Sequence, residues 1–395
     1  MIFGRHSVLK RGCSTWDKQA MPEAEFQSRL DAVRSEMMQQ DLAALVIYGD
    51  NYSFADLCYL TNYFPKVRGG MAIVPRSGPI SLLLNIGSRD VPFARSLTWV
   101  ADVRASGQLG RDGAKLLEEK KLSRAKIGWI DSGRGFPLPE LEELQGSLPQ
   151  VEWKSCHSML ERMRLRKRER ELSALGGAGR VLNEIGDRAG DFIRPGRKEH
   201  EIIADIDRVA RDQGVEDIRI LAGEKRLQPP SFKMTASVEN HWAVYLAIQH
   251  DRYWVETGRT YVLSGNAKLQ SAYEKAREVI RQMATQLRPD ASVAAIDEVA
   301  RQELGEFYAT ASSYGLGNGI GLNLWEPPFL SGHEARQVGF TGGSSVQPDM
   351  TVALRVFFET EGKLIIFGDT YQVTPTGTGP KCLIGKQPRG ESTNP

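Results

Sequence analysis

The second half of the sequence contains an internal repeat, and this repeat constrains the fold more than any other feature. Arg194-Pro195 precedes one segment with a helical pattern, and Arg288-Pro289 precedes another. The two segments share the order Ile-Asp-x-Val-Ala-Arg, at residues 206–211 and 296–301. Proline is well tolerated at a helix start, where its missing N–H leaves no bond unmade. The pattern predicts a duplicated α+β unit with a cleft along its pseudo-two-fold axis.

The first half alternates strands and helices. Phe26, Leu30, Val33 and Met37 recur at helical spacing, and short apolar runs follow them. The predicted elements are a helix over 22–40, a strand over 43–48, a hairpin of 71–74 with 80–84, and a strand over 126–130. Such alternation is typical of an α/β domain.

The boundary between the halves is expected near residues 156–168. Residues 161–168 are strongly basic, and we interpret them as a solvated linker that enters a helix over 168–192 rather than as a polyanion site. Gly176-Gly177 inside this helix predicts close packing against another element. The predicted division is an irregular arm over 1–21, an N-terminal α/β domain over 22–158, a second domain over 159–382 and a tail over 383–395.

Composition excludes several classes of protein. The chain has 51 Lys and Arg against 49 Asp and Glu, so its charge gives no reason to expect a nucleic-acid or membrane partner. Its four cysteines form no CxxC pair, which argues against a zinc ribbon and a disulfide framework. Neither a signal-like segment nor a membrane-length apolar run is recognisable. We therefore expect a cytoplasmic protein.

Several C-terminal segments carry a family resemblance. They are Glu256-Thr257-Gly258-Arg259-Thr260-Tyr261, the alternating glycines of 315–322, Trp325-Glu326-Pro327-Pro328, the run 348–355 and the run 368–374. Together they resemble the creatinase, prolidase and aminopeptidase P family. The resemblance implies a creatinase-like N-terminal α/β domain followed by a C-terminal "pita-bread" domain with an internal pseudo-two-fold repeat.

The resemblance also implies a metal site that this chain lacks. Peptide-hydrolysing members of the family hold two divalent metals with two Asp, one His and two Glu. The corresponding positions here are Tyr245, Glu256, Asn318, Arg355 and Gly368. Only Glu256 is a carboxylate, and a permanent cation at Arg355 would repel a metal ion. We therefore expect neither a metal nor another cofactor.

Three of these positions are candidate cleft residues with alternatives. Glu256 is either a catalytic carboxylate or one half of a structural salt bridge. Arg355 lies in an apolar strand and needs a partner, because an unpaired buried charge is costly. It either pairs with Glu256 or binds a substrate carboxylate. Asn318, between two glycines, is either a substrate-binding residue or a turn residue.

Five further residues complete the predicted site. Tyr245 and Trp325 are expected to shape the substrate pocket, and Glu326 is a second acid/base candidate. His241 is a candidate proton shuttle, since histidine titrates near neutral pH. Arg68 lies in a loop similar to the creatinase loop that reaches the partner's cleft in a dimer, which implies a homodimer in which Arg68 binds substrate. A plain surface loop is the alternative.

Two classes of function remain open. The first is a metal-independent, creatinase-like hydrolase that cleaves a C–N bond of an amide or amidine in a small carboxylate-bearing molecule. In this hypothesis Glu256 or Glu326 activates water. The alternative is a catalytically inactive binding or regulatory module, or a metal-free lyase on the same fold. Nucleotide-binding and serine-hydrolase motifs are absent from the sequence.

Overall fold

The computed structural model describes residues 15–130, 135–230, 238–263, 265–331, 345–376 and 379–385. It divides into two compact units, Met1–Arg164 and Leu165–Pro395. Most of the predicted arm over 1–21 and of the predicted tail over 383–395 lies outside the described residues. No helix within these ranges is both long and apolar enough to cross a membrane.

The N-terminal unit is an α/β sandwich around one mixed sheet. Its elements are α1 (Glu23–Gln39), β1 (Ala44–Asp50), α2 (Ala55–Thr61), β2 (Gly69–Pro75), β3 (Ser81–Leu84), α3 (Val91–Ser96), β4 (Asp102–Ala105), α4 (Leu109–Glu119), β5 (Lys126–Ile130), α5 (Leu138–Ser147), β6 (Glu152–Ser155) and α6 (Ser158–Leu165). The strand order is β4-β3-β2-β1-β5-β6. Pairing is antiparallel on both sides of β2 and parallel elsewhere, so β2 alone runs against the other five strands.

Local sequence explains this sheet. The continuous apolar run of β1 is buried along nearly its whole length, as expected for a strand covered on both faces. The predicted hairpin is confirmed by the antiparallel pairing of β2 with β3. Gly78 in the connecting turn has a φ of 95°, a conformation that glycine adopts without steric cost.

The C-terminal unit is a larger antiparallel sheet backed by helices. Its elements are α7 (Glu169–Phe192), α8 (Glu199–Asp212), β7 (Asp217–Gly223), β8 (His241–His250), β9 (Tyr253–Val262), α9 (Ala267–Thr285), α10 (Val293–Leu304), α11 (Tyr308–Tyr314), β10 (Gly317–Gly319), β11 (Glu326–Phe329), β12 (Thr351–Thr360), β13 (Lys363–Gln372) and β14 (Lys381–Cys382). The strand order is β11-β10-β12-β13-β9-β8-β7, and β14 pairs with β13.

The predicted repeat is visible in this unit. The helix pair α7 and α8 leads into β7, β8 and β9, and the pair α9 and α10 leads into β10, β12 and β13. The two halves join where β9 pairs with β13, and Gly258 lies opposite Gly368 at that junction. Helix α7 packs on β8 and β9, while α9 packs on β12 and β13.

Side-chain alternation gives the sheet two different faces. In β12, Val352, Leu354 and Val356 belong to the core beneath α9 and α10. Ala353 and Phe357 belong to a second cluster on the opposite face. Arg355 is two residues from Ala353 and two from Phe357, so its side chain lies on the same face as theirs. That face is the one opposite α9 and α10.

The basic segment at the boundary is more ordered than the sequence suggests. Its first residues form the end of α6, and Arg168 caps the N-terminus of α7. Two of its cations are buried, so the prediction of a solvated linker is wrong. Arg164 Nε lies 3.0 Å from Asp56 Oδ1, and Lys167 Nζ lies 2.9 Å from Glu326 Oε2. Burial is tolerated because each cation has a carboxylate partner from a distant part of the chain.

Close packing of α7 occurs at Gly179 rather than at Gly176-Gly177. A Cβ at Gly176 or Gly177 would meet nothing nearer than the guanidinium of Arg180, at 3.9 and 3.8 Å. A Cβ at Gly179 would overlap the carbonyl oxygen of Leu383. The prediction of close packing at Gly176-Gly177 is therefore wrong, and the close contact of this helix is made by Gly179.

Alanine substitutions at these glycines should have opposite effects on stability. Gly179→Ala should lower the free energy of unfolding by about 1–3 kcal/mol, because the new methyl group collides with backbone. Gly176→Ala should raise it by about 0.5–1 kcal/mol, because alanine favours the helix and the site is open. Chemical denaturation of the two variants measures this difference. Equal effects would contradict the packing of Leu383 on α7.

Candidate functional site

A hydrogen-bonded network of four side chains occupies the centre of the C-terminal sheet. Arg355 Nη1 donates to Glu256 Oε1 at 3.0 Å and to Asn318 Oδ1 at 2.7 Å. The hydroxyl of Tyr245 donates to Glu256 Oε2 at 2.7 Å. All four side chains are buried. Four of the five positions that correspond to family metal ligands are thus linked in one series of hydrogen bonds.

Strand geometry brings these residues together from four strands. Tyr245 is on β8, Glu256 on β9, Asn318 on β10 and Arg355 on β12. Tyr245 pairs with Gly258 across the β8–β9 ladder, which places it diagonally from Glu256 on the same face. Because the register of each ladder fixes which side chains share a face, the network follows from the pairing of the strands.

The fifth position, Gly368, leaves room for the network. Gly368 lies directly opposite Arg355 in the β12–β13 ladder. A Cβ at Gly368 would lie 2.9 Å from Arg355 Cβ and 2.7 Å from the carbonyl oxygen of Leu354. A larger residue here would therefore push against the strand that carries the arginine.

Electrostatics keep the Tyr245 phenol protonated. Burial, followed by the negative charge of Glu256, raises the pKa of Tyr245 well above its ordinary value. The phenol therefore stays protonated and serves as a hydrogen-bond donor. Asn318 is fixed on its other side, since its Nδ2 donates to the carbonyl oxygens of Gly319 and Leu324 at 2.6 and 3.0 Å.

This donor set does not fit a pair of divalent metals. Dinuclear hydrolytic sites need several hard anionic oxygens, usually with an imidazole. The network offers one carboxylate, and the guanidinium of Arg355 already neutralises it. Across the described ranges, no group of three or more His, Cys, Asp or Glu side chains is placed to hold a metal ion.

A large apolar cavity lies beside the network. Its volume is about 940 Å³, within the range typical of small-molecule sites. Tyr245 and Arg355 contribute to its wall, and so does Trp325, which is 56% exposed. The remaining walls are mostly aliphatic and aromatic side chains of β7, α8 and β12. Tyr245, Trp325 and Arg355 are thus positioned as the sequence predicted, although their roles in binding stay predictions.

Glu326 and His241 are placed less favourably for catalysis. Glu326 accepts hydrogen bonds from Lys167 Nζ at 2.9 Å and from the backbone N–H of Asn323 at 3.0 Å, and it is not a lining residue of the cavity. His241 is buried and is likewise not a lining residue, and burial lowers its pKa to about 4. Neither side chain has the cavity-facing position that the sequence analysis expected.

Arg68 belongs to the N-terminal unit. It is exposed, has a φ of 56°, and its Nη1 donates to Asn85 Oδ1 at 3.0 Å. Its predicted role in the cleft of a partner subunit, and the homodimer itself, stay predictions.

The sequence analysis gave no role to several cavity residues. His200, Ile203, Ala204 and Asp207 line the cavity from α8. Their spacing of i, i+3, i+4 and i+7 marks one face of a helix, so the stripe could be found by periodicity. Arg219 of β7 also lines the cavity, and its guanidinium carbon lies 5.5 Å from the Trp254 ring centroid.

Removing one partner of the central pair should destabilise the fold. Arg355→Met leaves Glu256 buried without a counter-charge, so the free energy of unfolding should fall by about 3–5 kcal/mol. Adding Glu256→Leu should restore at least half of this loss, because the uncompensated carboxylate is then gone. Arg188→Met is the control, since Arg188 forms a half-exposed helical pair with Glu184. Chemical denaturation that gives Arg355→Met the stability of the control would contradict the pairing.

Comparison with known proteins agrees with this architecture. The profile described as Creatinase/Prolidase N-terminal domain matches residues 29–166. The structure is similar to a prolidase from Pyrococcus horikoshii, with a TM-score of 0.75 and 18% identity over 92% of this chain and 99% of that one. It is also similar to an X-Pro aminopeptidase from Thermotoga maritima, with a TM-score of 0.74 and 16% identity over 91% and 98% of the two chains. These matches confirm the predicted two-domain pita-bread fold.

The sequence matches to known proteins cover less of each chain than the structural matches do. An Xaa-Pro dipeptidase from Pyrococcus horikoshii is 26% identical over 54% of this chain and 63% of its own length. A probable dipeptidase PepE from Mycobacterium tuberculosis is 28% identical over 51% of this chain and 54% of its own length. The match thus spans between half and two thirds of each relative's length, and both relatives are hydrolases by name. The profile described as Metallopeptidase family M24 covers residues 174–375, about half of the chain, and the chain belongs to that family.

Proposed function

We propose that the chain is a metal-independent member of the M24 family whose cleft binds a small, largely apolar molecule bearing a carboxylate. The observation that carries this proposal is the salt bridge of Arg355 with Glu256 at the position of the family metal site. The pair places protein charges where the family's hydrolases are expected to hold cations, and the guanidinium of Arg219 lines the cavity beside it. A ligand carboxylate can therefore be recognised by guanidinium groups without a metal.

The cavity walls support both parts of this ligand description. Ile218, Leu221 and Phe357 are among the apolar side chains that line the cavity, so burying an apolar ligand body there is favourable. Arg219 and Arg355 line the same cavity. A guanidinium presents a planar fork of donors that matches a carboxylate, and such charge-assisted hydrogen bonds are among the stronger polar contacts.

Hydrolysis of a C–N bond is the second candidate function. The specific observation in its favour is that His200 lines the cavity with Asp207 two turns further along α8. In this mechanism the imidazole takes a proton from water as the oxygen attacks the carbonyl carbon, and the leaving nitrogen accepts a proton when the C–N bond breaks. Glu256 and Glu326 are less suited to the role, because each carboxylate already accepts bonds from a cation.

Hippurate tests both candidates, because it combines an apolar ring, an amide bond and a carboxylate. In buffer containing EDTA, hippurate should raise the melting temperature of the protein in a saturable manner. Benzamide lacks the carboxylate and should bind at least 10-fold more weakly. Arg219→Gln should weaken hippurate binding about 10-fold, or roughly 1.4 kcal/mol. Arg208→Gln should not, since Arg208 is exposed on α8 and is not a lining residue.

The outcomes separate the two functions. Release of glycine from hippurate, lost in His200→Gln, would establish hydrolysis. Saturable binding without glycine release would retain the binding function and reject this hydrolysis. No saturable shift with hippurate, or equal shifts for the Arg219 and Arg208 variants, would contradict the proposed ligand class.

A further inference from the structure

A second cavity lies in the N-terminal unit and has its own set of lining residues. Its volume is about 250 Å³, below the range of about 300–1,000 Å³ that is typical for drug-sized ligands. Its lining includes Tyr48, Asp50, Asn51, Arg68 and Glu140. A cavity of this size with so many polar groups suits a small and strongly polar ligand.

The cavity lies where sheets of this type bind ligands. Asp50 ends β1, Asn85 follows β3, and Gly69 begins the reversed strand β2, so all three lie at the same edge of the sheet. Strands β1 to β4 are neighbours in sequence order on one side of the sheet, and β5 then pairs with the other side of β1. In open α/β sheets, ligands bind outside the carboxyl ends of the strands at such a reversal.

The polar groups of this cavity are held in place. Asp50 Oδ1 accepts the backbone N–H groups of Tyr52 and Ser53, each at 2.7 Å. Glu140 Oε2 accepts the backbone N–H of Gly110. Arg68 is oriented by its bond to Asn85. The wall thus presents one guanidinium and two carboxylates whose positions are set by contacts within the unit.

The carboxylates of Asp50 and Glu140 both influence the hydroxyl group of Tyr48. Burial, followed by the charges of Asp50 and Glu140, raises the pKa of Tyr48 to about 12. The phenol is therefore protonated at neutral pH. Gly69 leaves space for this ring, because a Cβ there would lie 2.6 Å from the Tyr48 hydroxyl oxygen.

We propose that this cavity is a binding site for a small zwitterionic α-amino acid. Asp50 and Glu140 suit the ammonium group, and Arg68 suits the carboxylate. Two carboxylates against one guanidinium leave the site with a net negative charge, so the ammonium group is the indispensable part of the ligand. This assignment gives Arg68 a role within its own unit, and it does not depend on the function proposed for the cleft.

L-alanine is titrated into the 395-residue chain, and its binding is measured by saturation-transfer NMR. L-alanine should bind saturably, whereas acetate and methylammonium, which each carry one of its charges, should bind at least 10-fold more weakly. Arg68→Gln and Glu140→Gln should each weaken L-alanine binding at least 10-fold. Arg76→Gln is the matched control, because Arg76 is 44% exposed at its side chain, lies in the same unit and is not a lining residue.

The cleft variant Arg219→Gln distinguishes the two sites. It should leave L-alanine binding unchanged if the amino acid occupies the N-terminal cavity. The proposal is overturned if L-alanine shows no saturable binding, or if its binding is lost in Arg219→Gln and kept in folded Arg68→Gln and Glu140→Gln. Circular dichroism checks folding, and Arg68→Lys, which keeps the charge, should retain more affinity than Arg68→Gln.

Discussion

The ion pair of Arg355 and Glu256 is the interaction on which the centre of the C-terminal unit depends. Two strands that are not adjacent in the sheet, β9 and β12, both direct a charged side chain to this point. A buried charge is tolerated only when it is compensated and hydrogen-bonded. Tyr245 donates a further hydrogen bond to Glu256, and Asn318 accepts one from Arg355. The charge of Glu256 is thus compensated by a side chain of the protein.

The network also sets the chemistry of the adjacent cavity. Because Glu256 is engaged by a cation and a phenol, it is a poor general base, and the cavity beside it is dominated by apolar walls. An apolar site with guanidinium groups at its wall favours recognition of an anion over activation of water by a carboxylate. We therefore propose ligand binding as the first function and hydrolysis as the second, although the relatives are hydrolases by name.

Much of this architecture could be predicted from local patterns. The helical stripes and apolar runs predicted the main elements. The family resemblance placed Arg355 and Glu256 at one site, but it left open whether they pair, because the register of β12, β13 and β9 is not visible in the sequence. The partner of Glu326 could not be predicted, because Lys167 is 159 residues away in a segment that resembles a solvated linker. The position of His200 at the cavity could not be predicted for a related reason. Periodicity identifies the helix face that carries it, but only tertiary packing shows that this face borders the cavity.

Metal titration tests the central claim most directly. After treatment with EDTA and dialysis, the protein is titrated with Mn²⁺ and Co²⁺ by isothermal calorimetry, and metal retained after a second dialysis is measured by elemental analysis. We predict no saturable binding and no stoichiometric metal, because the guanidinium of Arg355 lies where the metal ions would lie and would repel them. Two equivalents of metal that survive the second dialysis would contradict it.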